Sequence, residues 1–281
     1  MGQIIGQKNL ISNLDKLIET DRIPRFIIFV GPWGCGKKTI CDYFVRKSNL
    51  NHVHFGNSVD DIRNAIITSY EVEFDSIYSF YDCDNMNQNA LNAMLKVTEE
   101  PPKKARFLMT FSHFNKILPT LISRASVFEI SPYTGEELEE YASEIGIPYR
   151  NREFIFNVCD TPGNLNLFKQ YDCNEFISHV NKLCRDIGNQ KINDTLKITF
   201  KINTKRTFAP NESGDTDVKW SPYLFMKAVQ FQLFQKCTEP IYYEGMRITG
   251  DYINKLENIN SLNIQMLLDA WLIELSNCLK R

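Results

Sequence analysis

The chain has 281 residues, a hydrophobic fraction of 43% and a formal net charge of −2. Its length exceeds the usual size of one domain, so two or three packed units are expected. No run of ~18 or more apolar residues is present, which excludes a transmembrane segment. The weak negative charge excludes a protein that binds nucleic acid through a basic excess, so any DNA contact has to come from local geometry or from partner chains.

The first half alternates extended apolar runs with helical patterns, which is typical of a nucleotide-binding α/β domain. Continuous hydrophobicity in the strand-like runs favours a parallel sheet that is covered on both faces. Strands are predicted at Phe26 to Val30, Ile77 to Tyr81, Phe107 to Phe111 and Val127 to Ile130. Helices are predicted at Lys8 to Glu19, Lys38 to Arg46, Asp60 to Ser69 and Asn89 to Thr98, and the prolines at 101 and 102 end the last of them.

The second half is predicted to be helical. Thr134 and Glu137 form a capping box that opens a small helical unit running to about Asp172. Residues 196–220 alternate apolar and polar residues and then supply turn residues, which predicts a β-hairpin or a flexible insertion. Further helices are predicted at Glu175 to Asp186, Pro222 to Lys236 and Ser261 to Lys280. The predicted domains are 1–132 (nucleotide-binding), 133–173 (helical lid) and 174–281 (all-helical, with the 196–220 insertion).

The N-terminal residues and the cysteines indicate a cellular compartment. The first ten residues lack a charged stretch that leads into an apolar one, so no secretory signal is predicted. The eight cysteines are scattered, without a C-x-x-C pair or a zinc-ligand cluster, and are predicted to be reduced and mostly structural. We therefore expect a cytoplasmic protein.

The strongest motif is GPWGCGKKT, which follows the first predicted strand and precedes a helix. It matches the G-x-x-x-x-G-K pattern, in which glycines let backbone N–H groups point at phosphate oxygens and a lysine supplies charge to the terminal phosphates. The next residue is normally a Ser or Thr that binds Mg²⁺, whereas this chain has Lys38, with Thr39 one place late. The predicted phosphate-contacting residues are Gly31, Pro32, Gly34, Gly36, Lys37, Lys38 and Thr39.

Several further motifs follow one another along the chain: IIGQ at Ile4 to Gln7, RIP at Arg22 to Pro24, SVDDIR at Ser58 to Arg63, DNMNQNALNAMLKVTEEPP at Asp84 to Pro102, and ILPTLISRA at Ile117 to Ala125. In this order and spacing they resemble the clamp-loader subunits of AAA+ type, especially the delta-prime subunit of bacterial DNA polymerase III and its phage relatives. The resemblance runs from Ile4 to about Gln170. It implies a P-loop AAA+ domain with a parallel sheet, a small helical lid domain and an all-α C-terminal collar domain.

The resemblance also implies that the family's pair of catalytic carboxylates is incomplete. Counting back without gaps from Leu95 and Lys96 puts the family's Walker B Asp-Glu pair on Tyr81 and Asp82. A shift of one residue makes Asp82 the aspartate and puts Cys83 in place of the glutamate. Because one carboxylate holds the Mg²⁺ shell and the other positions the attacking water, hydrolysis by this chain is expected to be weak or absent. Asp82 is the one candidate metal ligand, and a solvated carboxylate is the alternative.

One catalytic residue of the family is retained. In the family, the arginine of an S-R-C motif reaches the γ-phosphate bound by a neighbouring subunit. Here Ser123 and Arg124 are kept, so Arg124 is the candidate finger in trans, and an ordinary surface arginine is the alternative. In the lid, Asn166 stands where the family has a sensor arginine. The implied ligand is ATP or ADP. No Mg²⁺ site is assigned, and Asp82 is the one candidate ligand for that metal.

The function implied by the resemblance is that of a clamp-loader subunit in DNA replication, which donates Arg124 to a neighbouring ATPase and helps to load a sliding clamp on primed DNA. Its partners would be other clamp-loader subunits, the clamp and the backbone of primer-template DNA, for which Arg63 is a candidate contact. A bacterial or phage-infected cell is the expected setting. Two alternatives stay open: an active clamp-loader motor that uses Asp82, and a non-catalytic AAA+ adaptor that acts outside replication.

Overall fold

The computed structural model describes residues 4–187, 201–202, 204, 219–258 and 263–280. The chain forms two compact units, Met1–Glu137 and Leu138–Arg281. The insertion predicted at 196–220 lies almost entirely outside the described residues. Of that segment, Ile202 and Trp220 form an isolated parallel β-bridge and are buried.

Unit 1 contains a five-stranded parallel sheet with the strand order β2-β3-β4-β1-β5. The strands are β1 (Phe26–Val30), β2 (Asn51–Phe55), β3 (Ser76–Phe80), β4 (Ala105–Phe111) and β5 (Ser126–Glu129). The helices are α1 (Lys8–Glu19), α2 (Lys37–Ser48), α3 (Val59–Glu71), α4 (Gln88–Glu99) and α5 (Pro119–Ile122). This order puts β1, which leads into the predicted phosphate-binding loop, between β4 and β5.

The sheet is covered on both faces, and the alternation of side chains along β1 shows how. Ile27 and Phe29 pack in one cluster with residues of α1 and α2, including Leu14 and Phe44. The intervening residues of β1 pack in a second cluster with residues of α3, α4 and α5. Strands β1, β3 and β4 are buried along their whole length, which is the reason that their sequences are continuously apolar.

The predicted strands and helices of this unit are all present, with ends shifted by at most two residues. Strand β2 was not predicted. Among the described residues it pairs only with β3, at an edge of the sheet. Its residues include the exposed His52 and His54 and only half-buried apolar side chains. An edge strand therefore lacks the apolar run by which the central strands were predicted.

Unit 2 is helical in its described residues, none of whose helices combines the length and hydropathy needed to cross a bilayer. The capping box predicted at its start is present, since the backbone N of Thr134 donates to Glu137 Oε2 at 2.9 Å and the N of Glu137 donates to Thr134 Oγ1 at 3.2 Å. The helices are α6 (Gly135–Glu144), α7 (Arg152–Val158), α8 (Pro162–Phe168), α9 (Cys173–Asp186), α10 (Pro222–Phe234), α11 (Pro240–Asn258) and α12 (Ile264–Leu279).

Helix α11 was not predicted, because Gly245 and Gly250 lower the helix propensity of its sequence. Tertiary packing overrides that preference. A Cβ at Gly245 would lie 3.1 Å from Leu275 Cδ1, so α11 and α12 approach each other closely at this point. The buried Trp271 of α12 also donates from Nε1 to Thr249 Oγ1 of α11 at 3.2 Å.

Structural roles were predicted for the aromatic residues of α10 and for most of the cysteines, and most of these residues have them. Phe225 is buried and packs against Trp220 and Phe176, whereas Phe234 is 60% exposed at the end of the helix. None of the eight cysteines forms a disulfide, and five of them are buried. The prediction of reduced, mostly structural thiols is confirmed.

Candidate nucleotide site

The loop between β1 and α2 has the conformation of a phosphate-binding loop. The backbone N of Gly31 donates to Phe111 O of β4 at 3.1 Å, which fixes the start of the loop to the neighbouring strand. Gly36 has φ of 87°, a left-handed conformation that favours glycine. A Cβ at Gly31 would lie 2.8 Å from Cys35 Sγ, so that position has no room for a side chain. The loop ends at the N-terminus of α2, where backbone N–H groups and the helix dipole favour an anion.

Lys37 is held inside this loop. Its side chain is only 8% exposed, and Nζ donates to Gly31 O at 2.7 Å and to Pro32 O at 3.0 Å. A lysine ammonium has three N–H donors, so two carbonyls leave one for a phosphate oxygen. Gly34, which has φ of 76°, precedes Lys37 in the loop, and the half-buried Thr39 follows it. The donor set therefore fits a nucleotide phosphate.

Tyr133 also contacts the loop and was missed by the sequence analysis. Its hydroxyl donates to Cys35 O at 2.8 Å, and a Cβ at Gly36 would lie 3.5 Å from the same hydroxyl. The segment that carries Tyr133 is anchored by Gln7, whose side chain exchanges two hydrogen bonds with the backbone of Ser131 at 2.7 and 3.1 Å. The IIGQ motif, in which Gln7 lies, would have been the signal that this segment reaches the loop.

Two positions that would hold Mg²⁺ in a P-loop ATPase, one after the loop lysine and one at the end of β3, have other residues in this chain. Lys38 replaces the hydroxyl residue, and its Nζ lies 5.5 Å from the centroid of the Tyr81 ring at the end of β3. The Tyr81 hydroxyl donates to Asp42 Oδ1 of α2 at 3.2 Å, and His54 stacks on the ring with 4.6 Å between centroids. Burial raises the pKa of Tyr81 well above its usual value, so the phenol stays neutral and supplies no anionic metal ligand.

The two carboxylates that follow β3, Asp82 and Asp84, have different surroundings. Asp82 is exposed, has φ of 54°, and its backbone N donates to Thr110 Oγ1 at 2.9 Å. The carboxylate of Asp84 accepts hydrogen bonds from the backbone N and the hydroxyl of Ser112 at 2.9 Å.

The residue between these two aspartates is equally unsuited to catalysis. Cys83 is buried, and burial raises the pKa of its thiol well above the usual range. Cys83 therefore stays protonated and replaces a catalytic glutamate with an inert group. In the described parts of the chain, His, Cys, Asp and Glu side chains nowhere come together in a group of three that would hold a metal ion. The residues present fit nucleotide phosphate and do not fit Mg²⁺.

His113, at the end of β4, lies within the electrostatic field of the same loop. Its pKa is lowered by burial first and then by the charges of Lys116 and Lys37, while Asp84 raises it. The imidazole is therefore neutral near pH 7 and senses the charge at Lys37. The sequence analysis gave this histidine no role, because nothing in the sequence shows that β4 lies beside β1.

Arg124 lies on the surface of unit 1 between α5 and β5. Its NH2 pairs with Glu99 Oε1 at 2.8 Å, its NH1 donates to Thr120 O at 2.7 Å, and the side chain is 32% exposed. Glu99 is the last residue of α4 and the first glutamate of the EEPP motif. The ion pair thus joins two of the motifs that carry the resemblance.

Two other candidate residues have ordinary surface surroundings. Asn166, in unit 2, donates from Nδ2 to the Tyr141 hydroxyl at 2.7 Å and is exposed. Arg63, on α3, lies 3.6 Å from Asp60 in an exposed i,i+3 pair. Asp61 is the partner of Ser58 in the capping box at the start of that helix. The two acidic residues at this helix start leave Arg63 a weak candidate for a phosphate contact.

The fold and the loop together define a P-loop protein of the AAA+ class. Solved structures with the same fold include a DNA polymerase III gamma subunit-related protein of Thermotoga maritima, with a TM-score of 0.52 and 15% identity, covering 95% of this chain and 99% of that one. The Holliday junction branch migration motor RuvB of T. maritima matches with a TM-score of 0.52 and 16% identity, covering 95% and 88%.

Within that class, the sequence is similar to clamp-loader proteins. A family model described as DNA polymerase III, delta subunit, matches residues 56–134, which exclude the P-loop. Replication factor C subunit 3 of Schizosaccharomyces pombe is 29% identical over 156 residues, which are 50% of this chain and 45% of that protein. Human replication factor C subunit 5 is 28% identical over 152 residues, which are 48% and 44% of the two chains.

A bacterial relative extends the comparison. The DNA polymerase III subunit tau/gamma of Haemophilus influenzae is 22% identical over 187 residues, which are 54% of this chain and 27% of that protein. This chain thus matches less than half of the length of each of these three relatives. The similarity supports the clamp-loader AAA+ family and does not separate its replication factor C members from its DNA polymerase III members.

Proposed function

We propose that this chain is a delta-prime-like clamp-loader subunit in DNA replication, which holds ATP or ADP without hydrolysing it and donates Arg124 to the nucleotide site of a neighbouring ATPase subunit. One observation carries the proposal. The loop and Lys37 retain a phosphate-binding geometry, while the metal-binding positions are occupied by Lys38 and Tyr81 in contact with each other. A chain of this kind contributes to catalysis only through a residue that it presents to another subunit.

In its own site, the chain would hold the nucleotide by its phosphates. The backbone N–H groups of the Gly31 to Thr39 loop and the remaining N–H donor of Lys37 would bind phosphate oxygens. A bound ATP or ADP supplies a polyphosphate whose charge balances that of the two lysines. The neutral Tyr81 and the buried thiol of Cys83 provide no base to activate water, so the nucleotide remains intact.

In trans, Arg124 has the properties of a residue that stabilises phosphoryl transfer. Its guanidinium is always charged and presents several N–H donors in a plane, which suits the charge that develops on a γ-phosphate. To reach a neighbour it must leave Glu99. An exposed pair of this kind contributes about 1 kcal/mol or less, so the exchange costs little.

An exposed apolar surface on unit 1 supports a protein partner. Ile67 and Tyr70 on α3 and Phe74 just beyond it are 58%, 62% and 72% exposed. Ile67 and Tyr70 are three residues apart and therefore share one face of the helix. Exposed apolar surface marks interaction sites, and all three residues fall within the segment that matches the DNA polymerase III delta-subunit family. We assign this surface, called the α3 patch, to the sliding clamp. Contact with primer-template DNA would be to the phosphate backbone.

The test is substitution of Arg124 in the complex of this chain with its ATPase partner subunits. Arg124→Ala should slow hydrolysis at the neighbouring site by roughly 10³-fold and reduce clamp loading, because an arginine finger contributes 10³-fold or more. Arg124→Lys should also lose most of the effect, since lysine lacks the planar donors. Arg247→Ala, which removes a paired surface arginine on α11, is the matched control and should change neither rate. Unchanged hydrolysis and loading with Arg124→Ala would refute the finger role.

The same preparation separates the alternatives. DNA-stimulated hydrolysis by the isolated chain that Lys37→Ala abolishes would identify an active motor. Failure to co-purify with any clamp, clamp-loader subunit or polymerase would identify an adaptor outside replication.

A further inference from the structure

We infer that the ammonium of Lys38 takes the place of the magnesium ion, so that this site binds a nucleoside di- or triphosphate without a divalent cation. The inference rests on the proposed role of the Gly31 to Thr39 loop as a nucleotide site. It goes beyond that role by stating which form of the ligand is bound and which residue selects it.

The first step is the position of the two residues. In a P-loop ATPase the residue after the loop lysine and the carboxylate at the end of the Walker B strand hold the same Mg²⁺. Here those positions are Lys38 and, in the register without gaps, Tyr81. The Lys38 ammonium lies 5.5 Å from the centroid of the Tyr81 ring, within the range of a cation–π contact. The two substitutions therefore remove both metal ligands, and one of them introduces the positive charge of the Lys38 ammonium.

The second step is that Tyr81 is held beside Lys38 by two further contacts. Its hydroxyl is bound to Asp42, which lies one helical turn after Lys38 on α2, so the same helix face holds both ends of the tyrosine. The ring is also stacked against His54, with 4.6 Å between centroids. The ring is half-buried and its phenol is neutral. It therefore contacts the Lys38 ammonium through its π-face and does not hold it in an ion pair, as a carboxylate would.

The third step is charge. The loop already contains the buried ammonium of Lys37, and Lys38 adds a second positive charge at the adjacent residue. A divalent cation entering next to Lys38 would meet like charge, and the Walker B position of the register without gaps holds a neutral tyrosine in place of a carboxylate, which disfavours Mg²⁺. Lys38 itself is exposed on a flexible stem, and an ammonium binds phosphate as a point charge. It can turn from the Tyr81 ring to a β- or γ-phosphate oxygen.

The test is calorimetric titration of the purified chain with ADP and with ATP, each in EDTA and in excess MgCl₂. We expect binding in EDTA at least as tight as binding in MgCl₂, where the metal competes for the phosphates. Lys38→Ala should weaken binding in EDTA by about tenfold or more, the effect of losing one hydrogen bond to a charged group. Lys38→Arg should retain binding. Lys47→Ala, at the other end of α2, is the matched lysine control and should leave affinity unchanged.

A gain of metal dependence is the sharper measurement. The double variant Lys38→Thr with Tyr81→Asp restores both metal ligands and should bind ADP more tightly in MgCl₂ than in EDTA, the reverse of the natural chain. Binding by the natural chain that requires Mg²⁺, or Lys38→Ala with unchanged affinity in EDTA, would overturn the inference. Absence of nucleotide binding under both conditions would overturn it as well, while the Arg124 test in the assembled complex would still decide the role in trans.

Discussion

Arg124 and Glu99 form an ion pair of 2.8 Å between the end of α4 and the segment after α5. The two residues are 25 positions apart in the chain, and their contact brings two motifs to one place on the surface of unit 1. The carboxylate holds the guanidinium at this surface in the isolated chain.

Removing that carboxylate should free Arg124 without disabling it. For Glu99→Gln we expect the hydrolysis rate of the assembled complex to stay within a few-fold of the natural rate, and the free energy of unfolding to fall by about 1 kcal/mol or less. Steady-state hydrolysis and urea unfolding measure the two quantities. A loss as large as that of Arg124→Ala would instead show that Glu99 is needed to position the finger.

Lys37 is predicted to serve both the nucleotide and the loop. Lys37→Met keeps most of the apolar stem and removes the charge, so nucleotide affinity should fall by about tenfold or more. Because the carbonyls of Gly31 and Pro32 lose their donor, the free energy of unfolding should also fall by about 1–3 kcal/mol. Calorimetric titration and urea unfolding test the two effects. An unchanged nucleotide affinity would remove Lys37 from the site.

Gly31 is predicted to tolerate no side chain. In Gly31→Ala the new Cβ would lie 2.8 Å from Cys35 Sγ and 3.1 Å from Ile130 Cβ, so we expect a loss of about 1–3 kcal/mol in unfolding free energy. Gly135→Ala is the matched control, because its Cβ meets no atom within 4 Å, and it should change stability by about 0.5 kcal/mol or less. Equal stabilities of the two variants in urea would contradict the packing of the loop.

Stability should depend on pH through two histidines. Burial lowers the pKa of His52 and of His113 below the usual 6.5, so the unfolded chain binds more protons than the folded chain in this range. Their contribution is therefore fully present above about pH 6.5 and is lost as the pH falls through that value and below it. Urea unfolding at pH 7.5, 6.5 and 5.5 should show decreasing stability. The double variant His52→Gln with His113→Gln should have a shallower slope, and an unchanged slope would assign the dependence to other groups.

The α3 patch is predicted to contact the clamp. Because Ile67 and Phe74 are exposed, the double variant Ile67→Ser with Phe74→Ser should fold with nearly unchanged stability and lose clamp affinity by about tenfold or more. Met266→Ser, which replaces a 69% exposed apolar residue on α12, is the control and should bind the clamp normally. Normal clamp binding by the double variant would place the contact elsewhere.

The parts of the fold that the sequence predicted are those in which local pattern and burial agree. Strand β1 and the loop after it could be predicted because five consecutive buried residues lead directly into glycines that the turn requires. Strand β2 and helix α11 could not, because an edge strand has no continuous apolar run and because the glycines of α11 are used for close packing.

At the candidate site, the sequence showed several separate differences from the nucleotide-binding motifs of the family that the chain resembles. Lys38 and Tyr81 each indicated a lost metal ligand, but the sequence carries no signal that the two side chains contact each other across α2 and β3. Tyr133 and His113 were missed for the same reason, since both reach the loop only through the order of the strands.

The thiol of Cys35 lies within the loop, 1% exposed, and burial raises its pKa, so it is protected from reagents while the loop keeps this shape. The rate at which Cys35 is alkylated therefore reports how often the loop opens. A ligand that fills the loop would lower this rate, whether or not the ligand is hydrolysed there. Alkylation of Cys35, measured by mass spectrometry, therefore reports whether the loop is occupied and requires no substitution in the chain.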